Sequence, residues 1–145
     1  MGDGDIVGKS FGELATTELY EILRLRCDVF VVEQTCAYAD VDGRDLEPGT
    51  MHHWIEASGR PVAYARTLAE PDGSTRIGRV VTDPASRGLG HAAALITHLT
   101  ERATGPLTLH AQSHLAPWYG RFGYEVDGPD YVEDGIVHVP MRLVR

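Results

Sequence analysis

The chain has 145 residues, of which 43% are hydrophobic and 8% aromatic, so it can fill the core of one domain and is too short for two. Its 21 acidic and 13 basic residues give a formal net charge of −8, which argues against a protein that binds a nucleic-acid backbone. No segment approaches the roughly 20 apolar residues of a membrane span, and the first residues lack a signal-peptide profile. We therefore predict a single cytoplasmic domain over residues 1–145, with Cys27 and Cys36 as reduced thiols.

Hydrophobic periodicity and turn residues predict the secondary structure in chain order. A short strand near Ile6 precedes a helix over 19–32, for which Thr16 or Thr17 is the expected N-cap, and residues 33–49 are expected to form a long loop. The elements that follow are strands over 52–57, 61–69 and 76–82, a helix over about 89–103, a strand over 107–112, a short helix over 114–122 capped by Gly123, and a β-rich run over 136–144. This order predicts an α/β (α+β) domain with a mixed central β-sheet and helices on both faces. Pro140 in the last run indicates an edge strand or a bulge.

A glycine-rich turn joins the strand over 76–82 to the next helix. The unpaired backbone N–H groups and the positive dipole end of a helix N-terminus bind anions. Gly88 and Gly90 would let backbone approach a pyrophosphate closely, and Arg87 would add a positive charge. The third glycine of a dinucleotide fingerprint is replaced by Ala93, and a Walker loop is absent.

These motifs resemble the GCN5-related N-acetyltransferase (GNAT) superfamily. Arg87-x-x-Gly90-x-Ala92 is similar to its acyl-CoA loop, and Tyr119-x-x-x-Gly123-Tyr124 is similar to its short helix near the thiol of CoA. The run from Leu25 to Gln34, LRCDVFVVEQ, resembles the ElaA group most specifically. The resemblance implies a GNAT fold and direct transfer of an acetyl group from acetyl-CoA to a primary amine, without a metal. The residues that it implies for cofactor binding are Val80, Val81, Arg87, Gly88, Leu89, Gly90, His91, Ala92 and Gln112.

The resemblance also suggests how the chemistry is shared among residues. A backbone N–H at Val81, beside Val80 and after a strand bulge, would polarise the thioester carbonyl. Tyr119 would be the general acid for the thiolate, and Gln112 would contact the pantetheine arm. For the general base we favour Glu33. The alternatives that stay open are Asp42, Asp45, His52, His110, His114, His138 and solvent. His52 and His53 are adjacent on a strand and point to opposite faces, which argues against a shared metal ion.

The acidic segment from Glu33 to Glu47 has five acidic residues against Arg44 alone. It predicts a cationic acceptor, a small molecule or a peptide amine, while the plainer interpretation is a solvated acidic surface. Two other functions stay open: a non-catalytic acyl-CoA-binding module and an acyltransferase like the acyl-homoserine lactone synthases. Neither nucleic acid nor a membrane is an expected partner, and the oligomeric state is open, a homodimer included.

Overall fold

The computed structural model describes residues 6–145. All the strands within these residues belong to one mixed β-sheet. The strands are β1 (Ile6–Ser10), β2 (Met51–Ala57), β3 (Arg60–Ala69), β4 (Thr75–Thr82), β5 (Leu107–Gln112), β6 (Tyr124–Val126), β7 (Tyr131–Glu133) and β8 (Ile136–Leu143). The helices are α1 (Thr16–Arg26), α2 (His91–Arg102) and α3 (Ala116–Gly120). The sheet order is β1-β2-β3-β4-β5-β8-β6, with β7 also paired to β8. The predicted mixed sheet is confirmed.

Strands β4 and β5 are parallel neighbours for only part of their length. Thr75–Ile77 pairs with Leu107–Leu109, and no pairing follows beyond that point among the described residues. The other neighbouring strands are antiparallel. The two central strands therefore diverge toward their carboxyl ends and open a gap in the middle of the sheet.

Strand β4 contains a bulge at the start of this gap. Tyr64 of β3 pairs with Val81, whereas Arg66 pairs with Gly78, so β4 has one residue more than β3 across this interval. Arg79 has a φ of 53°, a left-handed conformation that is unfavourable for a non-glycine residue. The bulge reverses the side-chain alternation of the strand: Ile77 and Val81, four residues apart, pack on opposite faces of the sheet.

Two hydrophobic clusters cover the two faces, as the sequence predicts. On one face Leu95, Ile96 and Leu99 of α2 pack against the alternate residues of β5 that point inward. On the other face α1 buries Ile22 and Leu25 against Trp54, Tyr64 and Val81. The helices thus fix both sides of the gap between β4 and β5.

The first helical segment is longer than predicted. It begins at Thr16 rather than near Leu19, and Ala15 rather than a threonine precedes it, with the Glu18 carboxylate accepting a hydrogen bond from the Ala15 N–H at 2.8 Å. After Arg26 it continues as a π-helical segment, Cys27–Glu33, whose wider turns end with the Gln34 N–H donating to Val29 O at 2.9 Å. The chain therefore leaves the helix one residue later than the sequence indicates.

The expectation that Pro140 marks an edge or a bulge is met locally: β8 lies inside the sheet, but its residues 139–140 fall between the registers of β6 and β7 and pair only with β5 among the described strands. Three strands follow α3, and two of them, β6 and β7, have only three residues each, too few for a sequence pattern to resolve. Pro140 lies at the break between them, where its carbonyl accepts a hydrogen bond from the Asp127 N–H at 2.8 Å. The N–H that proline lacks would point into this break, so no ladder bond is lost.

Candidate active site

A cleft of about 520 Å³ lies where β4 and β5 diverge. Residues 76–80 of β4 and 109–112 of β5 line it, together with residues of the 34–44 loop, residues of the β7–β8 hairpin and Tyr119. The Cys36 thiol contacts the Asp134 carbonyl at 3.3 Å and so joins the loop to the hairpin across the cleft. Both cysteines are free thiols, in line with the sequence prediction.

Buried ion pairs hold the 34–44 loop in place. Arg26 is fully buried; its Nε donates to Asp40 Oδ2 at 2.9 Å, and its Nη1 donates to Asp45 Oδ1 at 2.8 Å. Its Nη2 also donates to the Asp40 carbonyl at 2.8 Å. Such a fork of donors matches two carboxylates in a way that a lysine ammonium does not. The loop is therefore anchored to the end of α1 by charge-assisted hydrogen bonds.

Two further arginines extend this network into the cleft. Arg66 donates to both oxygens of Asp42 at 3.0 Å, and Arg79 Nη2 lies 3.2 Å from Asp42 Oδ2. Arg79 Nε lies 3.0 Å from Asp40 Oδ1 in an ion pair that lacks hydrogen-bond geometry. Although burial opposes ionisation, the hydrogen bonds from Arg66 and from the Arg44 N–H lower the pKa of Asp42 to about 2.

This network changes the interpretation of the acidic segment. Asp40 and Asp45 are buried rather than solvated, and each of the five acidic residues from Glu33 to Glu47 contacts an arginine. Paired carboxylates attract a mobile cation only weakly. The plainer expectation of a solvated surface is wrong for Asp40 and Asp45, whereas Glu33, Asp42 and Glu47 are exposed. The cationic acceptor stays a prediction, but the negative electrostatic field on which it was based is weakened because the carboxylates are paired with arginines.

Tyr119 lines the cleft from α3 and is 7% exposed. Its ring packs edge-on against Trp118 and Tyr124, with ring centroids 4.9 and 6.4 Å away. Burial, with a smaller contribution from Tyr124, raises the pKa of Tyr119 to about 12, so the phenol keeps its proton at neutral pH. Within residues 6–145 its hydroxyl has no hydrogen-bond partner. A phenol in this state can donate a proton to a thiolate that forms in the cleft.

The glycine turn precedes α2 as predicted. Gly88 and Gly90 have φ angles of 81° and 80°, and a Cβ at either position would meet no other atom within 4 Å. The glycines are therefore required by the backbone conformation, and they leave open space at the helix N-terminus. Leu89 is exposed, whereas His91, the first residue of α2, is buried. Ala92 is half-buried in the first turn of α2.

Glu33 and Arg87, predicted to be the base and a phosphate ligand, contact each other. The Glu33 carboxylate receives two hydrogen bonds from the Arg87 guanidinium, at 2.8 and 2.5 Å, and both side chains are nearly half exposed. These hydrogen bonds lower the pKa of Glu33. Neither residue lines the cleft, although the next residue, Gln34, does. The pair therefore stands beside the cleft wall, where the glycine turn meets the end of the π-helical segment.

The remaining predicted cofactor residues lie on the two diverging strands. Val80 lines the cleft at the bulge, whereas the Val81 side chain is buried against α1. Gln112, at the end of β5, lines the cleft and its Nε2 lies 3.4 Å from Gln34 Oε1. The roles of their polar groups toward a thioester and a pantetheine arm stay predictions.

Among the candidate bases, Asp42, His110 and His138 line the cleft. His52 is fully buried, with Nδ1 2.6 Å from Tyr64 Oη and Nε2 3.3 Å from Asp45 O. His114 is exposed and outside the cleft lining. His53 contacts Thr67 rather than the partners of His52, as expected for the opposite face of the strand.

Several residues that shape the site belong to none of the sequence motifs assigned to catalysis or cofactor binding. One signal was present: Arg26 stands four residues after Ile22 and three before Val29, on the buried face of the helix, where a charge implies a buried partner. Arg66, within an apolar strand, carries the same signal. Local pattern does not predict the positions of Arg79 and Tyr131, because the first depends on a bulge and the second on a three-residue strand.

Three features of this chain are those of the GNAT acyltransferase class. The sheet opens between two parallel strands, a glycine turn leads into the next helix, and a buried phenol lies beside the gap. The chain belongs to the GNAT acetyltransferase family, since the family model of the acetyltransferase (GNAT) domain matches residues 24–145.

Its relatives include the protein ElaA of Escherichia coli K12, 40% identical over 136 residues that cover 89% of each chain. A crystal structure of an acyl-CoA N-acyltransferase from Pseudomonas aeruginosa is 40% identical, covers 97% of this chain and 99% of that chain, and has a TM-score of 0.91. The crystal structure of Escherichia coli ElaA has a TM-score of 0.88 at 36% identity, with coverage of 96% and 98%. Among the helices described here, none is long and apolar enough to cross a membrane.

Proposed function

We propose that this protein transfers an acetyl group from acetyl-CoA directly to a primary amine of a small molecule or peptide. The observation that carries the proposal is the position of Tyr119, a buried, protonated phenol in the lining of the cleft between β4 and β5. The similar Pseudomonas aeruginosa protein, described as an acyl-CoA N-acyltransferase, supports the same reaction type.

In this proposal the residues of the glycine turn and the cleft have separate roles in binding and chemistry. The open backbone of Gly88 and Gly90 at the N-terminus of α2 would hold the pyrophosphate, with Arg87 at its side. Gln112 would contact the pantetheine arm, and the backbone at the β4 bulge would polarise the thioester carbonyl. The acceptor amine attacks the carbonyl carbon, the C–S bond breaks, and Tyr119 gives its proton to the leaving thiolate.

The test is a thiol-release screen with acetyl-CoA and longer acyl-CoA thioesters against polyamines, aminoglycosides, amino acids and peptides. Release that needs both acetyl-CoA and an amine supports the proposal. Binding of acetyl-CoA without release for any amine would contradict it and would favour a non-catalytic acyl-CoA-binding module. A preference for long acyl chains would contradict the acetyl assignment. The cytoplasmic location is a separate part of the proposal, which cell fractionation checks.

Cofactor binding is tested at Gly90. Acetyl-CoA at 100 times its Kd should stabilise the protein by about 2.7 kcal/mol, a shift of several degrees in Tm. Gly90→Asp should abolish this shift, because its carboxylate would meet the pyrophosphate. Gly90→Ala is the matched control: it has the same backbone strain at a φ of 80° without the charge, and should keep part of the shift. Equal shifts in the two variants would contradict the assignment.

A further inference from the structure

We propose that His110 accepts the proton of the acceptor amine and that Tyr131 positions the His110 ring for this step. The inference rests on the proposed function and adds to it the general base. It comes from the side chains that the β5, β7 and β8 strands bring together on the cleft face of the sheet.

The contacts of His110 leave one ring nitrogen for the cleft. His110 alternates along β5 with buried residues that face α2, so its side chain is on the opposite face, where it lines the cleft. Its Nδ1 lies 2.5 Å from Tyr131 Oη. Its Nε2 has no hydrogen-bond partner within residues 6–145. An Nδ1–H that donates to Tyr131 leaves a lone pair on Nε2 for the substrate.

Tyr131 is itself held in place by β8. Its ring stacks on His138, with ring centroids 5.7 Å apart and an interplanar angle of 22°. The Nδ1–H of His138 donates to the Ile136 carbonyl at 2.8 Å. The stacking on His138 therefore fixes the Tyr131 ring, whose hydroxyl extends across β8 to His110. Tyr131 acts on the reaction through His110 rather than on the substrate.

The charges around His110 favour its neutral form. Burial lowers the pKa of His110, and Arg76 of β4 and His138 lower it further, while Glu133 of β7 and Glu70 oppose them. A neutral imidazole at pH 7 is able to accept a proton. In the step proposed here, the amine nitrogen forms a bond to the thioester carbon, the C–S bond breaks, Tyr119 protonates the sulfur, and the proton lost by the nitrogen moves to His110 Nε2.

The other candidate bases are less well placed. Glu33 is engaged by Arg87 outside the cleft lining, and Asp42 is held by Arg66 and Arg79. His138 lines the cleft too, but β8 lies behind β5, one strand farther from the gap where β4 and β5 diverge. His110 belongs to the strand that forms the edge of that gap.

The kinetic test measures kcat/KM against pH with the best amine from the screen. His110→Gln should lower kcat/KM by about 10²- to 10⁴-fold and remove its fall at acid pH, while the acetyl-CoA thermal shift stays intact. Tyr131→Phe should lower kcat/KM by a smaller factor and move the acid limb. His114→Gln, an exposed histidine just beyond β5, is the matched control and should match the wild type.

A second measurement needs no turnover. In protein with ¹⁵N-labelled histidine, the His110 signals at pH 7.5 should show an unprotonated Nε2, and Tyr131→Phe should change the tautomer ratio. A protonated Nε2, or a His110→Gln variant with the wild-type rate and pH profile, would overturn the inference while the proposed function stands. A larger effect from His138→Gln than from His110→Gln would also overturn it. Wild-type protein that releases no thiol would instead contradict the proposed function, and the inference with it.

Discussion

Replacement of Arg26 by methionine should destabilise the protein more than any surface arginine substitution. Arg26 is fully buried and donates to the side chains of Asp40 and Asp45. With Arg66 and Arg79 it balances the charges of Asp40, Asp42 and Asp45, so its removal leaves one excess negative charge in a largely buried network.

The expected magnitude follows from this imbalance. Removal of one partner from a buried ion pair costs about 3–5 kcal/mol, because the remaining charge lacks both water and a partner. At about 2–4 °C per kcal/mol for a protein near this size, the expected fall in Tm is about 6–20 °C. Methionine is the replacement of choice because its flexible apolar chain fills most of the space that the arginine leaves.

The assay is urea unfolding followed by tryptophan fluorescence, with Tm as a second readout. The control is Arg24→Met on the same helix: Arg24 is half exposed, and its ion pairs with Glu21 and Asp28 are long, at 3.6 and 3.8 Å. This control should change the free energy of unfolding by less than about 0.5 kcal/mol.

A double-mutant cycle separates charge imbalance from lost packing. Asp45→Asn should destabilise the wild type, yet cost less or even stabilise in the Arg26→Met background, where it removes the excess negative charge. The reasoning is refuted if Arg26→Met costs less than about 1 kcal/mol, or if Asp45→Asn costs the same in both backgrounds.

Three further predictions concern pH and the site. The pKa of Asp42 is lowered to about 2 and that of Asp45 is also lowered, so both ionised carboxylates stabilise the folded state at pH values above the pKa of an aspartate in the unfolded chain, near 3.9. This stability is lost as the pH falls toward 2. Urea unfolding between pH 5 and pH 2 measures the loss, and a flat profile would contradict it. Tyr119→Phe should lower kcat with little change in the Kd for acetyl-CoA, because only the proton for the leaving thiolate is lost; equal rates would mean that Tyr119 only packs. Glu33→Gln should lower the KM for acetyl-CoA by freeing Arg87 and leave the pH profile unchanged, whereas loss of the acid limb would make Glu33 the base.

Local pattern was enough to predict most of the elements. The glycine turn, the strand over 107–112 and the short helix with Tyr119 lie where spacing and turn residues place them, because each depends on neighbours in the chain. The bulge at Arg79 could not be predicted, since it depends on the alignment of β4 with β3. Pro140 indicated an interruption of the sheet correctly, because its lack of an N–H is visible in the sequence, but the two short strands on either side of that interruption were not.

The candidate site was harder to predict, because charge partners come from distant parts of the chain. Most acidic residues of the 33–47 segment look unpaired in the sequence, yet four of the five pair with arginines of α1, β3, β4 and the glycine turn, and Glu47 pairs with Arg44. Net charge over a segment counts only the residues within it. It therefore overstated the negative field that an acceptor would meet.

The bulge of β4 separates the reaction from the folding of the two cores. Ile77 packs under α2 and Val81 under α1, and the bulge takes up the extra residue between them, so each side chain stays on its own face. Deletion of Val80 would leave Val81 three residues after Ile77 and still opposite Tyr64, so both cores would keep their residues. Such a protein should fold and stay soluble while it loses the left-handed backbone conformation at Arg79 beside the cleft. A change of length at this one place would therefore act on turnover rather than on expression.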